Sequence, residues 1–129
     1  MTIEVIGEPI IINNKIIPLS KAVRAGDFVF LSGQLGCNAD MIFPKTVGEQ
    51  TKLSVMNIKA VLIECGLTLA NIVKTTVWLT KREYFQEFNQ AYEEHFPDKP
   101  PCRSTVCSAL MVPSALVEIE AIAYHADQS

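Results

Sequence analysis

The chain has 129 residues, of which 49% are hydrophobic and 19% charged, so residues 1–129 fit one domain. A net charge of −3 and scattered lysines and arginines argue against a nucleic-acid partner, because binding phosphates requires clustered basic side chains. The longest uncharged run is too short to span a bilayer and no secretory signal is visible, so we expect a cytoplasmic protein with no membrane partner.

The first third of the chain predicts short strands and one irregular segment. Two short strands and a turn are expected first, at Thr2–Val5, Ile10–Ile12 and Asn13-Asn14. The apolar run Phe28–Leu31 predicts a buried strand that ends in a loop at Ser32-Gly33. Residues Gly36–Lys45 contain asparagine, aspartate and proline, and we expect them to be irregular.

A first helix is predicted after this segment. Thr46 and Glu49 have the spacing of a capping box, in which each side chain binds a backbone N–H of the first turn. Apolar residues then recur at helical spacing, at Val55, Ile58, Leu62 and Cys65. Gly66 can adopt the left-handed conformation that ends a helix.

A strand and a second helix are predicted next. Ile72–Leu79 is rich in β-branched residues and predicts a strand. Thr80 and Glu83 repeat the capping-box spacing, so we expect the second helix to begin there and to end before Pro97. Four aromatic residues fall on one face of this helix: Phe85, Phe88, Tyr92 and Phe96.

Two closing strands, at Arg103–Ala109 and Leu116–Tyr124, complete an α+β pattern with two helices on one face of a mixed sheet. In the last strand, one face is apolar, with Val117, Ile119, Ala121 and Ala123, and the other holds Glu118, Glu120 and Ile122. Two helices cover only one face of the sheet. Because the chain has few charges, we expect the second face to pack against other subunits.

Arg103 and Glu120 are the candidate chemical pair. If the two closing strands are antiparallel neighbours joined through Leu110–Ala115, Arg103 lies opposite Glu120 and Thr105 opposite Glu118. One interpretation is a cross-strand ion pair, which contributes less than about 1 kcal/mol when exposed. The other is a binding site, where the arginine binds a carboxylate through two hydrogen bonds and the glutamate transfers a proton or positions a water. Spacing alone leaves both open.

Other chemistries have little support in the sequence. Ser32 does not lie in a G-x-S-x-G turn, and neither His95 nor His125 has the context of a catalytic triad. No ligand spacing predicts a metal site, and no glycine-rich loop predicts a nucleotide cofactor. The even number of cysteines leaves a disulfide open, but we expect reduced thiols at Cys37, Cys65, Cys102 and Cys107.

Five segments, in order along nearly the whole chain, resemble the RidA/YjgF family: SKAVRAGDFVFLSGQLG (Ser20–Gly36), NIKAVLIECGLTLANIVKTTVWL (Asn57–Leu79), FNQAYEEHF (Phe88–Phe96), PCRSTV (Pro101–Val106) and LVEIEAIA (Leu116–Ala123). The resemblance implies a chorismate-mutase-like α+β fold and a homotrimer that closes a central barrel, with three clefts between subunits. It implies hydrolysis of 2-enamino and 2-imino acids, such as 2-aminoacrylate, to 2-keto acids and ammonia. The activity that the resemblance implies is that of a 2-iminobutanoate/2-iminopropanoate deaminase, without metal or organic cofactor.

The resemblance also implies roles for individual residues. Arg103 would hold the substrate carboxylate, and Glu120 would position or activate the attacking water. Thr105 stands where many family members have a cysteine. Further residues fall on cleft positions of the family: Ser32, Gly33 and Asn89.

One position departs from the family pattern. The family segment reads like GPYSQAV, whereas Leu19 replaces its tyrosine here, which removes a hydrogen-bond donor and makes the cleft wall more apolar. Two functions therefore stay open: an imine deaminase, with either the usual or a shifted substrate preference, and a regulatory protein that binds small 2-keto acids without turnover. Family-associated ribonuclease activity is a third, and the acidic composition counts against it.

Overall fold

The computed structural model describes residues 3–126, in which two helices pack on one face of a six-stranded sheet. The elements follow in this order: β1 (Ile3–Ile6), β2 (Ile11–Ile12), β3 (Lys15–Ile16), β4 (Ala22–Ala25), β5 (Phe28–Leu35), α1 (Val47–Glu64), β6 (Ile72–Leu79), α2 (Phe85–Glu93), β7 (Cys102–Cys107) and β8 (Val117–Tyr124). Neither α-helix in this range combines the length and apolar character needed to cross a membrane.

The main sheet has the strand order β1-β4-β5-β8-β6-β7. Its neighbours are antiparallel except β6 and β7, which run parallel, and β2 and β3 form a separate hairpin. The α+β prediction, with a mixed sheet and helices on one face, is confirmed. The turn at Asn13-Asn14 is also confirmed: both residues have positive φ, 52° and 64°, as a tight hairpin turn requires.

Most element boundaries lie within two residues of the predictions. The first strand begins at Ile3 in the structure, and the predicted start at Thr2 lies outside the described residues. Residues 36–45 contain no helix or strand, as expected. The strand prediction for Ile72–Leu79 is confirmed at both ends.

The predicted pairing of β7 with β8 is wrong, because β6 lies between them. Arg103 is therefore not opposite Glu120, and Thr105 is not opposite Glu118. The partners on β6 are Thr75 for Arg103, Val77 for Thr105, Thr76 for Glu120 and Trp78 for Glu118.

The connection between β7 and β8 explains this arrangement. It leaves β7 where the Ser108 amide donates to the carbonyl of Leu79, at the end of β6. It then reaches Leu116, whose carbonyl accepts from the amide of Thr80, just after β6. Both ends of the connection are thus held at the end of β6, and β8 continues along the opposite side of that strand.

The apolar residues of β8 face the helices, as predicted. Val117, Ile119, Ala121 and Ala123 are buried in the core, and their α1 partners are also buried, among them Val55, Ile58 and Leu62. The glutamates of β8 therefore lie on the opposite face of the sheet.

The ends of α1 follow the prediction in part. The Thr46 side chain accepts a hydrogen bond from the amide of Glu49 at 3.2 Å. The Glu49 carboxylate accepts from the Thr46 hydroxyl instead of a backbone amide, so only half of the capping box forms. Gly66 has φ 76° and donates to the carbonyl of Ile63, which confirms the left-handed helix end.

The predicted start of α2 at Thr80 is wrong. The Thr80 amide donates a hydrogen bond to the carbonyl of Leu116, the residue just before β8, so Thr80 still belongs to the end of the sheet. A short 3₁₀ turn at Arg82–Tyr84 comes first, and α2 begins at Phe85. Lys81 precedes the turn and makes no side-chain cap, so the Thr80/Glu83 capping box does not form.

Gln50, on α1, joins two loops through its buried amide. Its Nε2 donates to the carbonyls of Pro44 and Ser114 at 2.8 and 3.0 Å, and its Oε1 accepts from the amide of Leu116 at 2.8 Å. The side chain is 1% exposed. It thereby fixes the loop that leads into β8.

We expect Gln50→Leu to lower the free energy of unfolding by about 3 kcal/mol, because it leaves three loop backbone groups without their partner. Urea denaturation measures this loss. Gln86→Leu on the exposed side of α2 is the matched control and should change stability by less than about 0.5 kcal/mol. Equal losses in the two variants would contradict the assigned role of Gln50.

Candidate functional site

Arg103 lies on the edge strand β7, and its side chain rests on the aromatic face of α2. The guanidinium carbon is 5.7, 5.3 and 5.0 Å from the ring centroids of Phe85, Phe88 and Tyr92. These rings converge on one point because helical spacing places them on one face. Each distance is within the range of a cation–π interaction.

The Arg103 side chain forms no hydrogen bond or salt bridge within residues 3–126. Its positive charge is therefore half-buried without a protein carboxylate to neutralise it. It lines a cavity of about 640 Å³ together with Asn89, Tyr92, Glu93, Phe96, Pro97 and Pro100. A planar guanidinium with free donors beside a cavity suits a carboxylate ligand.

Thr105 lies two residues further along β7, on the same face of the strand as Arg103. It lines a second cavity of about 320 Å³, whose other residues are Leu79, Arg82, Phe85, Val106 and Cys107. Arg103, Asn89 and Thr105, all predicted cleft residues, thus lie near the junction of β7 and α2. We call these three residues the edge group.

The segment Ser32-Gly33 is a bulge inside β5, and the predicted strand end at this point is wrong. β5 continues to Leu35, and its pairing with β8 shifts between Leu31 and Gln34. The Ser32 hydroxyl donates to the carbonyl of Ser20 at 2.5 Å. This bond uses the hydroxyl hydrogen and ties the bulge to the segment before β4.

Glu118 packs over this bulge. A Cβ atom added to Gly33 would lie 2.7 Å from its Oε2, so the missing side chain of Gly33 makes room for the carboxylate. Burial, and after it the negative charge of Glu120, raise the pKa of Glu118. Glu118 was not predicted as a site residue. The signal was present in the alternation of the last strand, which places both glutamates on the face opposite the core.

Leu19 is connected to the bulge through its neighbour Ser20. It is 47% exposed and directly precedes Ser20, the residue bonded to Ser32. Residues 5–9 and 16–20 line a shallow cavity of about 370 Å³ here. We call Leu19, Ser32, Gly33 and Glu118 the bulge group, with Glu120 two residues along β8.

The two groups project from opposite faces of the sheet. Arg103 is paired with Thr75, which is buried toward α2, whereas Glu120 is paired with Thr76 on the opposite face. Glu118 shares the face of Glu120. One chain therefore does not bring Arg103 and either glutamate together, and a site containing both needs two chains.

The face that carries the glutamates is not covered by either helix, and it presents large hydrophobic side chains beside polar ones such as Lys74 and Thr76. Its large hydrophobic side chains are between 42% and 76% exposed, and they include Ile3, Val5, Phe28, Phe30, Val106 and Tyr124. Extended apolar surfaces of this kind are typical of protein–protein contacts.

A family model and several known proteins match this chain over most of its length. The family model described as Endoribonuclease L-PSP matches residues 12–125. A RutC family protein of Pyrococcus abyssi is 38% identical over 109 residues, which cover 83% of this chain and 86% of the relative. The chloroplastic Reactive Intermediate Deaminase A of Arabidopsis thaliana is 35% identical over 108 residues, covering 82% of this chain and 58% of that protein.

Solved structures show the same fold. Escherichia coli TdcF with bound serine superposes with a TM-score of 0.84 at 32% identity, covering 95% of this chain and 99% of that one. The match includes the two-helix, mixed-sheet architecture, so the prediction of a chorismate-mutase-like fold is confirmed. On the family model, the relatives and the fold together, this chain is a member of the RidA/YjgF family.

Proposed function

We propose that the protein hydrolyses small 2-enamino and 2-imino acids, such as 2-aminoacrylate and 2-iminobutanoate, to 2-keto acids and ammonia. The observation that carries this proposal is Arg103, a half-buried guanidinium that forms no hydrogen bond or salt bridge within the described residues and lies beside a cavity of about 640 Å³. The name of the Arabidopsis thaliana relative supports the activity, and the serine bound to Escherichia coli TdcF, which has a carboxylate, supports the ligand class.

In the proposed reaction, Arg103 binds the substrate carboxylate through two hydrogen bonds. A glutamate takes a proton from water, whose oxygen forms a bond to C2 of the imine. It passes that proton to the nitrogen, which gives a carbinolamine. The hydroxyl proton on C2 then moves through the same carboxyl group to the nitrogen, the C2–N bond breaks with its electron pair to release ammonia, and C2 becomes the ketone. A 2-enamino acid first becomes the imine by taking up a proton at C3 and losing one from nitrogen. One carboxyl group can act first as base and then as acid, and the raised pKa of Glu118 suits that exchange.

The glutamate is assigned to Glu118 in this proposal, and Glu120 remains the residue predicted from the family resemblance. Glu118 contacts Gly33, in the bulge that also contains Ser32. Glu120 lies two residues further along β8. Glu120 then acts on the reaction through the pKa of Glu118.

The proposed catalytic unit is a homotrimer in which the edge group of one chain meets the bulge group of the next. The support is the position of the two groups on opposite faces and the apolar surface beside the glutamates. Sedimentation equilibrium should return three times 14.3 kDa at micromolar concentration. A monomer would contradict both the trimer and the shared cleft.

One observation favours a second function. Leu19 is the member of the bulge group that replaces the family's tyrosine, and its side chain has no hydroxyl. Under this alternative the protein binds 2-keto acids through Arg103 but does not turn over imines, and it acts as a regulatory protein. A transition-state contact that is missing lowers the rate without weakening ground-state binding.

Leu19→Tyr separates these functions. We expect the wild type to hydrolyse 2-aminoacrylate slowly and Leu19→Tyr to raise the rate by roughly 5- to 150-fold, the value of one hydrogen bond, with little change in 2-keto acid affinity. The assay follows imines that an amino-acid oxidase generates from alanine, leucine and methionine. If the wild type prefers the leucine and methionine imines, Leu19 adapts the cleft to bulkier substrates. No acceleration of any imine by either protein would favour the regulatory function.

A further inference from the structure

A guanidinium that binds a ligand has to be held in place without losing its charge. The long arginine side chain has many rotamers, which a binding site must restrict. A neighbouring carboxylate commonly provides this restriction, but it also competes with an anionic ligand. Within the described residues, no such carboxylate is bonded to Arg103.

Tyr92 is placed to hold Arg103 by other means. Its ring centroid is the nearest of the three to the guanidinium carbon, at 5.0 Å. Its hydroxyl lies 2.7 Å from the hydroxyl of Thr75, and both side chains are at least 95% buried. Thr75 is also the strand partner of Arg103 on β6. The three residues form a closed arrangement: strand pairing joins Arg103 to Thr75, a buried hydrogen bond joins Thr75 to Tyr92, and the ring faces the guanidinium.

The ring of Tyr92 is held on its other sides as well. The rings of Phe88 and Phe96 lie 5.2 and 4.8 Å from it, centroid to centroid. A rotation of Tyr92 would break a buried hydrogen bond and both aromatic contacts. This side chain is therefore a fixed surface, and its negative ring face attracts the guanidinium without neutralising it.

We infer that Tyr92 is a positioning residue for Arg103, and that the Thr75–Tyr92 hydrogen bond fixes the ring that holds the guanidinium ready for an anion. This inference rests on the proposed carboxylate site and adds how that site is kept both rigid and charged. It also gives a role to the buried hydrogen bond between Thr75 on β6 and Tyr92 on α2.

Four variants test the inference by calorimetric titration with pyruvate. Tyr92→Leu removes the ring face and should weaken pyruvate binding about 10-fold. Tyr92→Phe and Thr75→Val keep the ring but remove the hydrogen bond, and each should weaken binding about 3-fold. The matched control is Tyr84→Leu, because the Tyr84 ring faces Lys81 and not Arg103. It should leave the affinity unchanged even if it lowers stability.

A second readout does not depend on the ligand. Ring currents should shift the NMR signals of the Arg103 side chain upfield in the wild type. Tyr92→Leu should move these signals toward their unstacked values, and Tyr84→Leu should not. If Tyr92→Leu does not fold, Thr75→Val and Tyr92→Phe, which nearly preserve the core volume, decide the question.

The two readouts separate the inference from the proposed function. Absence of pyruvate binding in the wild type would remove the carboxylate site, while the NMR signals would still report whether Tyr92 holds Arg103. Unshifted Arg103 signals in the wild type, or equal pyruvate affinities for Tyr92→Leu and Tyr84→Leu, would overturn the positioning role.

Discussion

Arg103→Ala is expected to abolish binding of pyruvate and 2-ketobutyrate, and Arg103→Lys to weaken it at least about 10-fold. The planar guanidinium can present two parallel donors to a carboxylate, whereas an ammonium acts as a point charge. A hydrogen bond to a charged group contributes about 1.5–3 kcal/mol, and the arginine is proposed to form two. Calorimetric titration measures the affinities directly.

Arg82→Ala is the matched control for this prediction. Arg82 is an exposed arginine in the turn before α2, and it lines the neighbouring cavity but not the one beside Arg103. Arg82→Ala also removes one positive charge near the site. It should change the affinity for pyruvate by less than about 3-fold, because salt screens charge effects over longer distances. Unchanged affinity in Arg103→Ala would show that the carboxylate binds elsewhere.

Glu118→Gln is expected to lower turnover of 2-aminoacrylate by about 10²-fold or more while changing 2-keto acid affinity much less. Glutamine preserves the shape over Gly33 but can neither accept a proton from water nor return one. Steady-state assays that trap 2-aminoacrylate, together with calorimetry, separate the two effects. Parallel losses of turnover and affinity would make Glu118 a structural residue.

Glu120→Gln should act differently and through pH. The negative charge of Glu120 helps to raise the pKa of Glu118, so its removal lowers that pKa. The base is active as the carboxylate, and the acidic limb of the pH–rate profile should therefore move to lower pH. If Glu120→Gln loses about 10²-fold in rate and Glu118→Gln does not, Glu120 is the base, as the family resemblance predicts.

Local sequence signals predicted most elements of this fold. Thr46, Gly66 and the β-branched run of β6 act through neighbouring backbone groups, and each determines its own segment. The start of α2 was mispredicted because the Thr80 amide is bonded to Leu116, 36 residues away, which no local capping pattern reveals. Tertiary hydrogen bonding overrode the local preference there.

Strand pairing was the main failure, and it changed the interpretation of the site. Strands that follow each other in sequence usually pair, which made a β7–β8 hairpin the simplest expectation. In the structure β6 lies between them, and its pairings place Arg103 and Glu120 on opposite faces. The sequence therefore indicated candidate residues, but not that one chain separates them. Glu118 was missed for a different reason, because its contact with Gly33 depends on the β5–β8 pairing and its bulge.

The most direct test of the proposed shared cleft uses two inactive variants together. Arg103→Ala and Glu118→Gln chains are refolded separately and as an equal mixture, and hydrolysis of 2-aminoacrylate is measured. In a mixed trimer some clefts take Arg103 from one chain and Glu118 from its neighbour, and activity should return to about a quarter of the wild-type value. A mixture no more active than its two parents would contradict a cleft built from two chains.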